Sequence, residues 1–171
     1  IISRTHARMK ESIAAIPDGI YSFEDFMDND GAGLDDIKSA LTVTIKGDDA
    51  VFDFAGTQAQ VPGNVNIPLN GTIAAVCYVL KAMLDPEIPN NHGVIDAVTV
   101  TAPPGTVVSC VEPASVASRA HTSQRIVDVV IGALADALPD KVVGAANGAN
   151  SMAIFAGTDP RSGQPYVYLE T

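Results

Sequence analysis

Tryptophan is absent, aromatic residues make up only 5% of the chain, and there are two cysteines in 171 residues. Two thiols cannot build the disulfide framework of a small secreted domain, and Cys77 and Cys110 are badly spaced for zinc. Both read as buried free thiols, the first in an apolar helical pattern and the second in a strand-like one. Basic residues are scarce as well: 10 Lys and Arg against 20 Asp and Glu leave a formal net charge of -10. So acidic a surface repels a phosphate backbone, and the Lys and Arg are scattered, which excludes nucleic acid as a partner. No apolar run approaches the roughly 18 to 20 residues that cross a bilayer, so no membrane partner is expected. The opening Ile1-Ile2-Ser3-Arg4 has no signal-peptide pattern. A soluble, cytoplasmic protein is expected, without internal repeats or low-complexity linkers.

What is present is apolar. Hydrophobic residues are 47% and charged ones 18% of the chain, enough buried surface to offset the entropy of ordering. The length suits one domain with a real core. The chain opens inside a helical pattern without a cap and closes on a strand-like stretch at 164–170, so a piece of a longer polypeptide is expected.

Apolar spacing of three and four predicts helices at 3–16 (Met9, Ile13, Ile16), 72–85 (Ile73, Val76, Cys77, Leu80, Met83, Leu84) and 122–138 (Ile126, Val127, Val130, Ile131, Leu134, Leu138). Pro86 and Pro139 stop the last two. Alternation predicts strands at 20–27, 39–46 and 50–54, the last two joined by Gly47-Asp48-Asp49, as an antiparallel meander. Further strands are expected at 94–101, 106–111, 141–145, 152–156 and 166–170. Strands in groups separated by single helices give an α+β fold, with about three helices on an antiparallel or mixed sheet, as part of a larger subunit.

Asp28, Asp30, Gly33 and Asp36 fall at calcium-loop positions, but Ala32 and Ser39 stand where an oxygen ligand and the bidentate Glu belong. No metal site is therefore expected there, and an acidic turn between strands explains the same residues. The three histidines, His6, His92 and His121, lack the close spacing of a helix-borne metal pair. His92 and His121 sit among polar loop residues and suit a pocket better than His6 does. Arg119-Ala120-His121-Thr122-Ser123-Gln124-Arg125 gathers hydrogen-bonding groups at a helix start. There, free N–H groups and a guanidinium could hold a carboxylate or phosphate, or Thr122 or Ser123 could simply cap the helix while the arginines pair with surface acids. A hydrolytic triad of His121, Ser123 and Asp128 lacks the nucleophile elbow. Gly144-Ala145-Ala146-Asn147-Gly148-Ala149-Asn150 lacks the endings of a phosphate-binding loop and reads as a tight turn.

In order along the chain stand Ile16-Pro17-Asp18-Gly19, Met27-Asp28-Asn29-Asp30-Gly31, Asp53-Phe54-Ala55-Gly56-Thr57, Gly63-Asn64-Val65-Asn66, Ile88-Pro89-Asn90-Asn91-His92-Gly93, Ala102-Pro103-Pro104-Gly105-Thr106, Ser118-Arg119 and Gly132-Ala133-Leu134-Ala135. With Leu138-Pro139, these motifs resemble the hydantoinase B/oxoprolinase family. The resemblance covers nearly the whole chain and implies a middle section of a B-type subunit that works with an A-type, ATP-using partner as a hetero-oligomer. It implies ATP-dependent opening of cyclic amides (hydantoins, N-methylhydantoins, 5-oxoproline) or, in another branch, carboxylation of ketones such as acetone and acetophenone. The hydrolase branch comes first as the larger class. ATP and a divalent metal are implied for the full complex, with metal ligands upstream of Ile1 and a Gly-rich segment after Glu170. Within the matching motifs, Arg119 and His121 are the expected catalytic residues and Asn66, Asn91 and His92 the expected substrate-binding ones, together lining one polar pocket. A third reading makes the segment a non-catalytic docking region.

Overall fold

The computed structural model describes residues 1–145, 148 and 153–170. Helix α1 (Ile2–Ile13) buries Thr5, Met9 and Ile13 on one stripe and unwinds where Pro17 and Gly19 follow. Strands β1 (Gly19–Asn29) and β2 (Asp35–Lys46) then pair antiparallel, and β3 (Asp49–Asp53) pairs antiparallel with β2. Gly47 makes the turn into β3 with φ +59°, a conformation that costs a residue without a Cβ little. Its N–H donates to the Asp18 carboxylate at 2.8 Å, which ties this turn to the one after α1.

Period-two alternation sends Ile37, Ser39, Leu41, Val43 and Ile45 of β2 inward, all of them buried. The register places Tyr21, Phe23, Asp25 and Met27 of β1 beside them on the same face. Helix α4 (Arg119–Leu134) lies across this face of β1 and β2 and presses Ile126, Val129, Val130 and Leu134 into the core. Each such side chain contributes about 1.5 to 3 kcal/mol by leaving water. Helix α2 (Leu69–Leu84) packs against α4 and buries Ala75, Val76, Val79 and Leu80.

Several expectations change in the structure. Residues 94–101 split into a one-turn helix, α3 (His92–Ile95), and a short strand, β4 (Thr99–Thr101). Strand β4 pairs parallel with β3, so the sheet β1-β2-β3-β4 is mixed, and α2 and α3 form the crossover that a parallel pair requires. The fold is α+β with four helices among the described residues. Residues 106–111 form turns instead of a strand: Thr106 N–H donates to Pro103 O and Ser109 N–H to Thr106 O. Val107 and Val108 are both fully buried there. Residues 141–145 carry no ladder, and Val142 instead packs against the core. Helix α4 starts three residues earlier than its apolar period, because Arg119, Ala120 and His121 form a polar first turn. Strands β5 (Ala153–Thr158) and β6 (Pro165–Glu170) form a separate antiparallel hairpin with every residue exposed. Met152 and most of the Gly144–Asn150 turn lie outside the described residues.

Candidate functional site

Helix α2 is rich in small residues on the side turned from the core, and Gly71, Ala74, Tyr78, Lys81 and Ala82 repeat there at helical spacing. Small side chains leave space, and three hollows follow one another along this side. One, of about 750 Å³, lies at the C-terminal end of α2 against Pro86, Asn91, His92 and Ile95. A second, of about 510 Å³, lies between α2 and α4, lined by Ala75, Tyr78, Ser123, Gln124, Val127 and Asp128. The third, of about 640 Å³, lies at the N-terminal end of α2 with Asn70, Arg119 and Ala120. Ala74 borders all three, so they form one open trough.

The five residues singled out from the sequence are dispersed. Asn91 and His92 come together in the first hollow, but the Asn91 side chain is engaged, donating to Thr5 Oγ1 at 2.9 Å and accepting from Gly93 N–H at 2.9 Å as the cap of α3. His92 is exposed, with Nε2 3.3 Å from Asp96 Oδ1. Arg119 lies in the third hollow, at the other end of α2 from His92, and its guanidinium donates to Val116 O at 3.4 Å. His121 lines none of these hollows. Asn66 faces no solvent at all: its amide oxygen accepts from Val61 N–H, and its nitrogen donates to Val61 O, Gly63 O and Ser115 O at 2.8 to 3.0 Å. That side chain ties the loop at 61–63 to Ser115 and, being fully buried, presents no group to a ligand.

Sequence reasoning placed less weight on Asp128. It is the one acid in the apolar run Ile126-Val127-Asp128-Val129-Val130-Ile131, and an acid breaking such a run is the signal that singles it out. Arg125, one turn earlier on α4, donates to the Asp25 carboxylate of β1 and stands 3.6 Å from Asp128 Oδ2. Burial pushes the Asp128 carboxyl above the usual carboxylate range; Arg125 pulls it back and Asp25 adds to the rise. No hydrogen bond among the described residues links Asp128 with His121 or Ser123, so the triad arrangement does not form there. Cys77 borders the first hollow, but burial pushes its thiol up to about 11, so it stays neutral and unreactive near pH 7.

The acidic turn is closed rather than open to an ion. Asp30 is 2% exposed, and its oxygens accept from the N–H groups of Ala32, Leu34 and Gly63 at 2.7 to 3.0 Å. Among the described residues no group of three or more His, Cys, Asp or Glu gathers where it could hold a metal. No helix among them is long and apolar enough to cross a membrane.

The sequence profile of hydantoinase B/oxoprolinase matches residues 1–171, and the chain belongs to that family. It is 27% identical over 99% of its length to a protein of Pseudomonas sp. (strain NS671) named for the B-type subunit of a D-/L-hydantoinase, of which it covers 30%. It is 36% identical over 64% of its length to a 5-oxoprolinase of Dictyostelium discoideum, of which it covers 8%. The crystal structure of an ATP-dependent caprolactamase from Pseudomonas jessenii superposes on 97% of the chain with a TM-score of 0.85 at 27% identity, and the chain covers 29% of it. The chain thus spans about 30% or less of the length of these relatives.

Proposed function

We propose that this chain is a section of the B-type subunit of an ATP-dependent enzyme that opens cyclic amides, working in a hetero-oligomer with an A-type subunit that uses ATP. The observation carrying this reading is the likeness, over 97% of the chain, to a protein described as an ATP-dependent caprolactamase. A hydantoinase and a 5-oxoprolinase stand beside it, and all three names describe action on a cyclic amide. A lactam or imide is a poor electrophile, and activation of its oxygen by a phosphoryl group would create a reactive intermediate that must be kept from bulk water. ATP and a divalent metal belong to the complete complex in this reading. The described residues form no metal cluster, so no step of the chemistry is assigned to a metal bound by them.

Of the residues expected from the sequence, Arg119 and His92 keep groups turned to the trough. Arg119 is exposed there and could hold a substrate carboxylate or a developing phosphate charge. In the complex reconstituted with its A-type partner, Arg119→Ala is expected to leave assembly intact. It should lower ATP-coupled ring opening at least about tenfold, or roughly 1.4 kcal/mol of transition-state binding. Screening hydantoin, 5-oxoproline and caprolactam for ATP-dependent hydrolysis, with acetone plus bicarbonate as the alternative, tests the whole reading. Consumption of acetone and bicarbonate without ring opening of any cyclic amide would overturn it.

A further inference from the structure

The hairpin of β5 and β6 differs from the rest of the molecule in what it leaves uncovered. Its register pairs Ile154 with Leu169 and Ala156 with Val167 on one side, and Phe155 with Tyr168 and Gly157 with Tyr166 on the other. Alternation therefore gives each face its own row of apolar or aromatic side chains. The six large ones, Ile154, Phe155, Tyr166, Val167, Tyr168 and Leu169, are 45% to 74% exposed, and none of them belongs to the hydrophobic core. Glu170 is the single charged residue in the two strands.

A strand pair with one face in water alternates apolar and polar residues. Strand β2 does so, with Leu41, Val43 and Ile45 buried and Thr42, Thr44 and Lys46 between them on the other side. The hairpin has no such polar face. Two strands alone are marginally stable in water, and an apolar surface of this kind marks a contact. Each strand also has only one neighbour among the described residues, so an edge of each is free to pair. Covering both faces at once takes a layer on each side, which is what the interior of a domain supplies. A partner subunit docking on one side, or a second copy meeting the hairpin through one self-complementary patch, would leave the opposite face wet.

The family relatives hold enough chain for this. The hydantoinase relative matches 99% of this chain, the hairpin included, yet the chain covers only 30% of it. The caprolactamase has the same proportion, with 29% covered. We propose that β5 and β6 are interior strands of a second β-layer completed by the remainder of the same polypeptide, which packs against Ile154, Val167 and Leu169 on one face and against Phe155, Tyr166 and Tyr168 on the other. The hairpin is then covered before any partner subunit arrives, and the A-type subunit docks elsewhere. This inference rests on the two-faced hairpin and on family membership, and it is independent of which reaction the enzyme catalyses.

The test uses the complete polypeptide that carries this chain, without and with its A-type partner. Ala153→Cys and Ala156→Cys place a small thiol on opposite faces of β5 with little change in volume. Labelling with a maleimide, with the parent protein as the blank, reads how well each position is covered. Both thiols are expected to react at least about a hundredfold more slowly than in denaturant, already without the partner and at any protein concentration. Rapid labelling of either position in the polypeptide alone would overturn the proposal. So would protection that appears only with the partner, or only at concentrations that form dimers. Val167→Lys gives a readout that does not depend on the cysteine variants. It should lower the thermal midpoint of the polypeptide alone by at least about 5 °C, or prevent its folding, because it places an unpaired charge in an interior. An unchanged midpoint would overturn the proposal as well.

Discussion

Asp30 and Asp128 are both carboxylates withdrawn from water, one in the turn after β1 and the other on the inner side of α4. Around Asp30 every demand is met. Three backbone N–H groups point at its oxygens, the bond from Leu34 N–H being the strongest influence, and together they hold the carboxyl below its ordinary value although burial opposes them. Gly63 approaches so closely that a Cβ there would stand 1.9 Å from Asp30 O, and Asn66 closes the neighbouring loop with four hydrogen bonds. Around Asp128 the demands are met only in part, since its buried Oδ2 has a 3.6 Å ion pair with Arg125 and no hydrogen bond, and burial moves its carboxyl the other way. The contrast teaches that a buried polar residue by itself says little about function. A closed network is scaffolding, whereas an incompletely paired one is a place where substitution costs the fold less.

Substitutions should separate the two regions. The largest effect is expected for Gly63→Ala, which forces a methyl group into the Asp30 backbone and should cost about 3 kcal/mol or more in chemical denaturation. Asn66→Ala comes next, at about 2 to 4 kcal/mol, because it strands Val61 N–H and the carbonyls of Val61, Gly63 and Ser115 in a closed interior. A loss of ligand binding with unchanged stability in Asn66→Ala would contradict the scaffold assignment.

Asp30→Asn should be milder, since an amide oxygen can still accept from Leu34 or Ala32. Its signature is pH dependence. The folded Asp30 carboxyl lies below its unfolded value of 3.8, so its contribution is complete above that value and disappears as pH falls through the folded one. The stability gap between wild type and Asp30→Asn should therefore be widest near neutrality and shrink on acidification, as followed by thermal midpoints across the acid range. A gap that widened in acid would reject the assignment. The smallest effect is expected in the incompletely paired patch, where Ser39→Ala removes an orphaned hydroxyl cross-strand from Asp25 and should be neutral or stabilising by about 1 kcal/mol. A loss of stability there would mean that Ser39 has a partner after all and that the patch is less open than it looks.

The local pattern of the chain was enough to place α1, α2, α4 and the antiparallel strands β1 to β3. Their apolar residues recur at helical or alternating spacing, and proline and glycine punctuate them. The family motifs, too, are legible in the chain itself, because they are runs of specific residues in a set order. The parallel β4 and the paired turns at 103–109 were not legible, because both are held by backbone bonds to segments far away, such as Val107 N–H to Gln58 O. Likewise, the sequence marks Asn66 only as a polar residue in a Gly-Asn loop. Whether its amide faces a ligand or the backbone of two loops depends on where Val61 and Ser115 come to lie. The sequence alone determines that an acid at position 128 interrupts an apolar helix face; only the tertiary structure decides that Arg125 gives its hydrogen bond to Asp25, which leaves that acid with a 3.6 Å ion pair alone. Helix and strand signals act over a few residues, whereas the satisfaction of a buried polar group is settled by residues a hundred positions apart, as with Arg125 and Asp25.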